Sequence, residues 1–444
     1  MNAPAARYVP LSPVLVRAPV LPVDAYLALA AGPDAADAPL APTDPLVRAA
    51  LAVASPELLE QLDSLRPGTR DADRAAAALE RYLIRMSTRP TPFGMFAAVG
   101  LADLGDETDL RVQSGPPRTR MRPDMEWLLR FVARLEDRPD VRRELRVTAN
   151  PSAWTHGDRV LLAERTAVDG SGGLTAVDMR ASGVVRRALA LAREPVAWRE
   201  LTARLITATG ATPVKVDGLL TELWRQSFLL TELRPPLTHP SPARHVEERL
   251  AGVPAARDER AVLTRLLADM ASWDETGLAG RPQLQAGLSA LAEQAVPTLH
   301  GPAVQVDAAL RLTTGGIAAR VADVAARATE LLLRLGPPSA TGGLDGYRRA
   351  FVSRYGADRE VALLELLDPE RGLGPPSAAA AGPSEDAAGI GRRHAYLRRI
   401  ALEALRDGHT AVRLDADAVA ALAPPGPPGE RAPVSVDLAV AVLA

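Results

Sequence analysis

The chain has no cysteine in 444 residues, which excludes disulfides, thiolate metal sites and a cysteine nucleophile. Lysine is almost absent as well: of 52 basic residues, Lys215 is the one lysine. Cationic recognition therefore falls to guanidinium groups, whose planar forks of donors suit carboxylates and phosphates. Aromatic residues make up only 4%, so the cores must be built from Leu, Val and Ala. No uncharged apolar run approaches the ~18 residues of a membrane span. The opening MNAPAARYVPLSPVLVRAPVLP lacks the charged-then-apolar order of a signal peptide. A net charge of −2 argues against a coat of positive potential and leaves any nucleic-acid contact to a local patch. The six histidines (156, 239, 245, 300, 394 and 409) are scattered. No HExxH, Walker-type phosphate loop or GxSxG occurs, so neither a metal nor a familiar hydrolase centre is expected. Together these absences describe a soluble cytoplasmic protein with no membrane span.

What is present is a mixed pattern long enough for two or three domains. Residues 44–65 predict two short helices, the second opening at Pro56 with Ser55 as its cap. Residues 71–88 predict a longer helix with acids in its first turn, followed by strand-like FGMFAAVGLADL. Residues 123–136 predict an amphipathic helix, and 144–165 a hairpin turning near His156-Gly157-Asp158. Three short helices then precede the apolar FLLTELRPP: SGVVRRALALA, AWRELTARLI and TPVKVDGLLTELWRQ, the last capped by Thr212. That is the order of a winged helix-turn-helix. Its third helix sets Lys215, Arg225 and Gln226 against Asp217 and Glu222, a poor reader of a DNA groove. An extended peptide docking on strand 144–151 or a neighbouring edge is the alternative. Residues 237–300 are helical with polar breaks, 303–312 alternate as a strand, and 315–335 form a long amphipathic helix. The Pro/Gly/Ala/Ser-rich stretches 373–387 and 423–433 are expected to be loops. The final VSVDLAVAVLA is apolar to its last residue, as in a chain cut from something longer or completed by a partner.

Two arginine clusters carry the chemistry. Arg70, Arg74, Arg81, Arg85 and Arg89 include steps of four, which share a helix face. The interleaved Asp71, Asp73 and Glu80 fit an ion-paired solvated face. The turn Arg89-Pro90-Thr91-Pro92-Phe93-Gly94 fits rigid placement of a guanidinium and a hydroxyl instead. Arg118, Arg120 and Arg122 alternate and so share one face of an extended segment. Asp124 follows at a helix start, where a capping acid is expected. Asp307 is the single acid of an alternating apolar strand. If Val304, Val306 and Ala308 face inward, it points the other way with Gln305.

Arg85-x-x-x-Arg89-x-Thr91-Pro92-Phe93-Gly94, followed by RPDMEWL, resembles the N-terminal region of class I lanthipeptide (lantibiotic) dehydratases. LTELWRQSFLLTELRPPL (220–237), VQVDAAL (304–310) and FVSRYGADREVALLELLDPERGLGPP (351–376) match in the same order. The resemblance implies an α+β multi-domain fold of mixed helices and small antiparallel sheets with an embedded winged-helix unit. It divides into an N-terminal part of a glutamylation domain (1–144), a leader-peptide recognition element (145–236) and a continuation of the first part (237–444). It further implies an enzyme that transfers glutamate from glutamyl-tRNA to Ser and Thr hydroxyls of a ribosomally made precursor peptide. Glutamyl-tRNA is then a co-substrate and no cofactor is needed. The matching catalytic residues are Arg85, Arg89, Thr91, Asp124 and Asp307; Arg81, Arg118, Arg120 and Arg122 would bind substrate. Family members are longer and carry an elimination domain, so a separate elimination protein or completing subunit is an expected partner. A non-catalytic peptide-binding subunit, and a ligase using another aminoacyl-tRNA, are the alternatives.

Overall fold

A computed structural model describes residues 7–30, 42–66, 68–113, 115–165, 175–297, 302–335, 342–376, 387–423 and 433–441. The loops expected at 373–387 and 423–433 fall largely outside these residues. The fold is α+β. By internal contact the chain divides into two compact units. The larger comprises Leu15–Leu101 and Arg111–Thr314; the other comprises Met1–Val14, Ala102–Leu110 and Gly315–Ala444.

In the larger unit the expected helices form, two of them capped by residues that sequence reading did not name. Pro45–Ala54 is capped by Asp44, whose carboxylate accepts the Leu46 N–H at 2.7 Å, and Arg70–Thr88 by the Thr69 hydroxyl. Ser55 and Thr212 stand at helix starts as expected, but neither side chain caps. At Ser55 the backbone carbonyl alone receives the Leu58 and Leu59 N–H groups.

A main core joins Leu51, Met86, Phe96, Trp127, Phe131, Trp273 and Val304. Its aromatic members sit where large apolar area is hidden from water, each such side chain contributing roughly 1.5–3 kcal/mol. The strand Val304–Ala309 pairs antiparallel with Arg118–Pro123 and in parallel with the strand that begins at Ala97. Parallel pairing departs from the antiparallel sheets expected.

A second core, from Val147 to Leu229, gathers Trp198, Leu201, Leu205, Leu220, Leu223 and Phe228. It belongs to the helices Gly183–Leu191, Trp198–Thr209 and Pro213–Arg225, followed by the strand Leu229–Thr231. The expected hairpin turns at Gly157, with Trp154–His156 paired to Arg159–Arg165 and the latter to Thr175–Arg180. Gly157 has a φ of 57°, a conformation glycine adopts without a Cβ penalty. Arg146–Ala149 is not part of that hairpin. It lies between Leu229–Thr231 and Val196–Ala197, so free edges belong to its neighbours.

The other unit holds the helices Ala319–Leu335, Gly342–Tyr355, Ala387–Arg406 and Ala416–Leu422. The last packs on the first and third, burying Ala418, Val419 and Leu422. A strand missed in the sequence precedes the first of them, its Gly316–Ala318 pairing with Asp103–Gly105. Two glycines and two threonines hide its apolar pattern.

Candidate active site

Strand alternation builds the first half of the site. Met121 and Pro123 are buried while Arg118 and Arg120 are exposed and Arg122 half-buried. On the partner strand Val304, Val306 and Ala308 are buried, which turns Gln305 and Asp307 outward beside the arginines. Gln305 lies opposite Arg122, and Asp307 opposite Arg120. Arg122 nevertheless reaches diagonally: its Nε donates to Asp307 Oδ2 at 2.8 Å, and its Nη2 to Asp307 Oδ1 at 3.4 Å and to Gln305 Oε1 at 2.8 Å. Arg120 donates to the Pro240 carbonyl at 2.6 Å. On the two strands three guanidinium groups thus share a face with the single carboxylate of Asp307.

Asp124 extends this network. Its Oδ1 accepts the Glu126 N–H at 2.7 Å, capping the helix Met125–Glu136, and its Oδ2 accepts from Gln305 Nε2. The expected cap is real, and the same carboxylate belongs to the polar face. Asp124 N–H donates to the Ala303 carbonyl at 2.9 Å, which fixes the helix start to the strand. Half-buried Asp274 accepts the Met121 N–H at 2.9 Å, between two of the outward arginines. Gln305 is the member that sequence reading left without a role. The alternation that turned Asp307 outward carried its signal.

The second half is the turn after Arg70–Thr88. The ion-paired face is realised only at Arg74–Asp71, 3.3 Å apart and well exposed. Arg81, Arg85 and Arg89 make no ion pair among the described residues. Arg85 lays its guanidinium over the Phe93 ring, 4.5 Å from the centroid, and its buried Nε has no hydrogen-bond acceptor. Arg89 leaves the helix: it is the extended C-cap, φ −109° and ψ 113°, because the residue before a proline is steered away from helical torsions. The step-of-four stripe therefore breaks at Arg89, and Arg89 and Thr91 stand exposed on the turn that Gly94 closes with a φ of 53°. No hydrogen bond or ion pair joins Arg85, Arg89 or Thr91 to the Asp124–Gln305–Arg122–Asp307 network among the described residues. The structure brings together the last four and, separately, Arg85 with Phe93.

The helix that starts at Asp124 ends against the second core. Glu136 is fully buried, accepts from Trp224 Nε1 at 3.4 Å and from the Thr231 hydroxyl, and lies 3.7 Å from Arg234. Desolvation holds its carboxyl above the ordinary range, against the pull of Arg234 and the two hydrogen bonds. Arg142 donates to the Glu136 carbonyl at 2.6 Å, its guanidinium 4.6 Å from the Trp224 ring and 5.4 Å from that of Trp198. Among the described residues no cluster of His, Asp or Glu has the spacing to hold a metal ion, and no helix is long and apolar enough to cross a membrane.

A family model described as "Lantibiotic dehydratase, N terminus" matches residues 43–444. Subtilin biosynthesis protein SpaB of Bacillus subtilis is 27% identical over 312 residues, covering 68% of this chain and 29% of its own length. Among solved structures, the tRNA-dependent lantibiotic dehydratase MibB from Microbispora sp. 107891 superposes with a TM-score of 0.74 at 34% identity. That match covers 93% of this chain and 40% of MibB. The glutamylation domain of TbtB, from thiomuracin biosynthesis, shares the fold at a TM-score of 0.57 and 19% identity, over 81% of this chain and 46% of its own. The chain thus spans well under half the length of SpaB and MibB.

Proposed function

The chain belongs to the lantibiotic dehydratase N-terminal family, and from that premise we propose that it performs tRNA-dependent glutamylation of a ribosomally made precursor peptide. The single observation that carries this reading is the likeness to MibB across 93% of the chain at 34% identity. The polar face described above supplies chemistry that suits it.

In the proposed reaction a Ser or Thr hydroxyl of the peptide adds to the ester carbonyl of glutamyl-tRNA. The bond from that carbonyl to the 3′-terminal ribose oxygen breaks, and the ribose oxygen takes the proton. One ester replaces another, so catalysis rests on positioning and on charge. Arg81 and Arg89 face the 3′-terminal phosphates, Arg85 holds the terminal nucleotide beside them, and Arg118 and Arg120 are further cations. Thr91 offers a hydroxyl on a braced turn. Asp124 and Asp307 hold the outward face in register and attract the ammonium group of the glutamyl moiety.

The second core has the element order of a winged helix, and we assign residues 145–236 to leader-peptide recognition, between glutamylation parts 1–144 and 237–444. The weakly basic third helix supports a peptide over DNA as its ligand. Elimination of the glutamate is assigned to a separate protein or a further part of the assembly. No cofactor enters this scheme.

The test is incubation with glutamyl-tRNA and the precursor peptide, with and without an elimination partner, read by mass spectrometry. A glutamyl adduct on Ser or Thr is the expected result. No adduct in any combination, or an adduct formed only from another aminoacyl-tRNA, overturns the reading.

A further inference from the structure

We propose that Phe93 is a stacking platform for the 3′-terminal nucleobase of the tRNA; this rests on the function proposed above and deepens it. Of the five phenylalanines, Phe96, Phe131 and Phe228 are buried, Phe351 is half-buried, and Phe93 alone is exposed, at 46%. In a chain so poor in aromatic residues, one left open at a rigid turn calls for an account.

Its placement is specific. The Phe93 carbonyl accepts the Phe96 N–H at 3.0 Å, and its ring lies 5.6 Å from that of fully buried Phe96, tilted by 52°. Phe96 is held in turn by Tyr82, edge-on at 5.2 Å. Pro92 fixes the residue before Phe93 and Gly94 the one after. The ring is therefore anchored from behind and presented forward at little entropic cost.

Charge decides what it is presented to. Arg85 covers part of the ring, Arg89 stands on the same turn, and Arg81 lies earlier on the helix that leads into it, neither of the last two in an ion pair among the described residues. An exposed aromatic ring beside unpaired guanidinium groups is complementary to a base joined to phosphates: the ring and the Arg85 plane take the base, and the flanking cations take the backbone. An apolar peptide side chain would use the ring but leave the three cations unanswered.

The experiment uses the full chain and acceptor-stem minihelices with and without the terminal adenosine. Phe93→Ala is expected to raise KM for glutamyl-tRNA roughly 10- to 100-fold, in the range of one missing base stack, while kcat at saturation changes little. Phe93→Trp is expected to restore KM and Phe93→Leu not to. In a double cycle, removing both the ring and the terminal base is expected to weaken binding no more than removing either alone. Additive effects, or a KM unchanged in Phe93→Ala while wild type transfers glutamate, overturn the platform and leave the proposed function standing. A wild-type chain that neither transfers glutamate nor binds the minihelix overturns both. Unchanged binding of the precursor peptide by Phe93→Ala excludes misfolding as the cause of its weaker tRNA binding.

Discussion

Arg122 forms its ion pair not with the residue opposite it but with Asp307, one step diagonal, with Nε 2.8 Å from Oδ2. Gln305, directly opposite, is thereby free to bond both Arg122 and Asp124. That diagonal links a strand, its neighbour and a helix start into one polar face.

Asp307→Ala should abolish that diagonal without unfolding the protein. The pair is partly exposed, with the Asp307 side chain 58% accessible, and such pairs contribute about 0–1 kcal/mol. Urea unfolding is expected to move by no more than this, while glutamyl transfer falls by roughly 10²-fold, as when one positioned polar group is removed. A variant that transfers at the wild-type rate removes Asp307 from the site.

Asp124 serves two purposes, and two substitutions separate them. Asp124→Ala loses the cap and should cost about 1 kcal/mol in denaturant titrations. Asp124→Asn keeps an acceptor for the Glu126 N–H and should retain nearly wild-type stability. Both are expected to lose transfer. Full activity in Asp124→Asn shows that capping is its only task.

Arg89 stands exposed on the turn, outside the helix that carries Arg85. Arg89→Ala is expected to leave thermal unfolding unchanged and to weaken tRNA binding. The plot of log affinity against log salt should flatten by about 0.7 for each phosphate that Arg89 neutralises in the wild type. An unaltered slope would mean that Arg89 touches no phosphate.

Glu136 gives a pH signature. Its folded-state carboxyl is held above the ordinary 4.5, chiefly by desolvation, so the folded chain binds that proton more tightly than the unfolded chain. This contribution to stability is fully present below pH 4.5 and is lost as pH rises through the folded value. Glu136→Gln cannot ionise, so its stability relative to wild type should improve between pH 5 and pH 8, with a slope of at most about 1.4 kcal/mol for each pH step of one. Equal differences at the two pH values would show that the pairing with Arg234 offsets burial.

Local chemistry made much of this legible from residues alone. The acid Asp124 at a helix start, the prolines at helix starts and the 2.0 and 3.6 periods indicated where helices and strands lie. Ser55 and Thr212, by contrast, start helices without capping them, and the caps Asp44 and Thr69 emerged only in the structure. Alternation in VQVDAA turned Gln305 and Asp307 to one face because a strand has no other option. The strand before Ala319 escaped notice because its glycines and threonines carry no apolar period. Short-range torsions also decided against the arginine stripe, since Pro90 pulls Arg89 off the helix.

Pairing between distant segments was beyond the sequence. Residues 118–123 and 304–309 lie far apart in the chain, and only burial of both apolar faces against one core sets them in register. That register brought Asp307 and Gln305 together within reach of Arg122, and made a capping residue, Asp124, part of a polar site. The sequence determined which groups point outward; the tertiary structure decided which of them meet, because register and packing depend on contacts that no local pattern encodes.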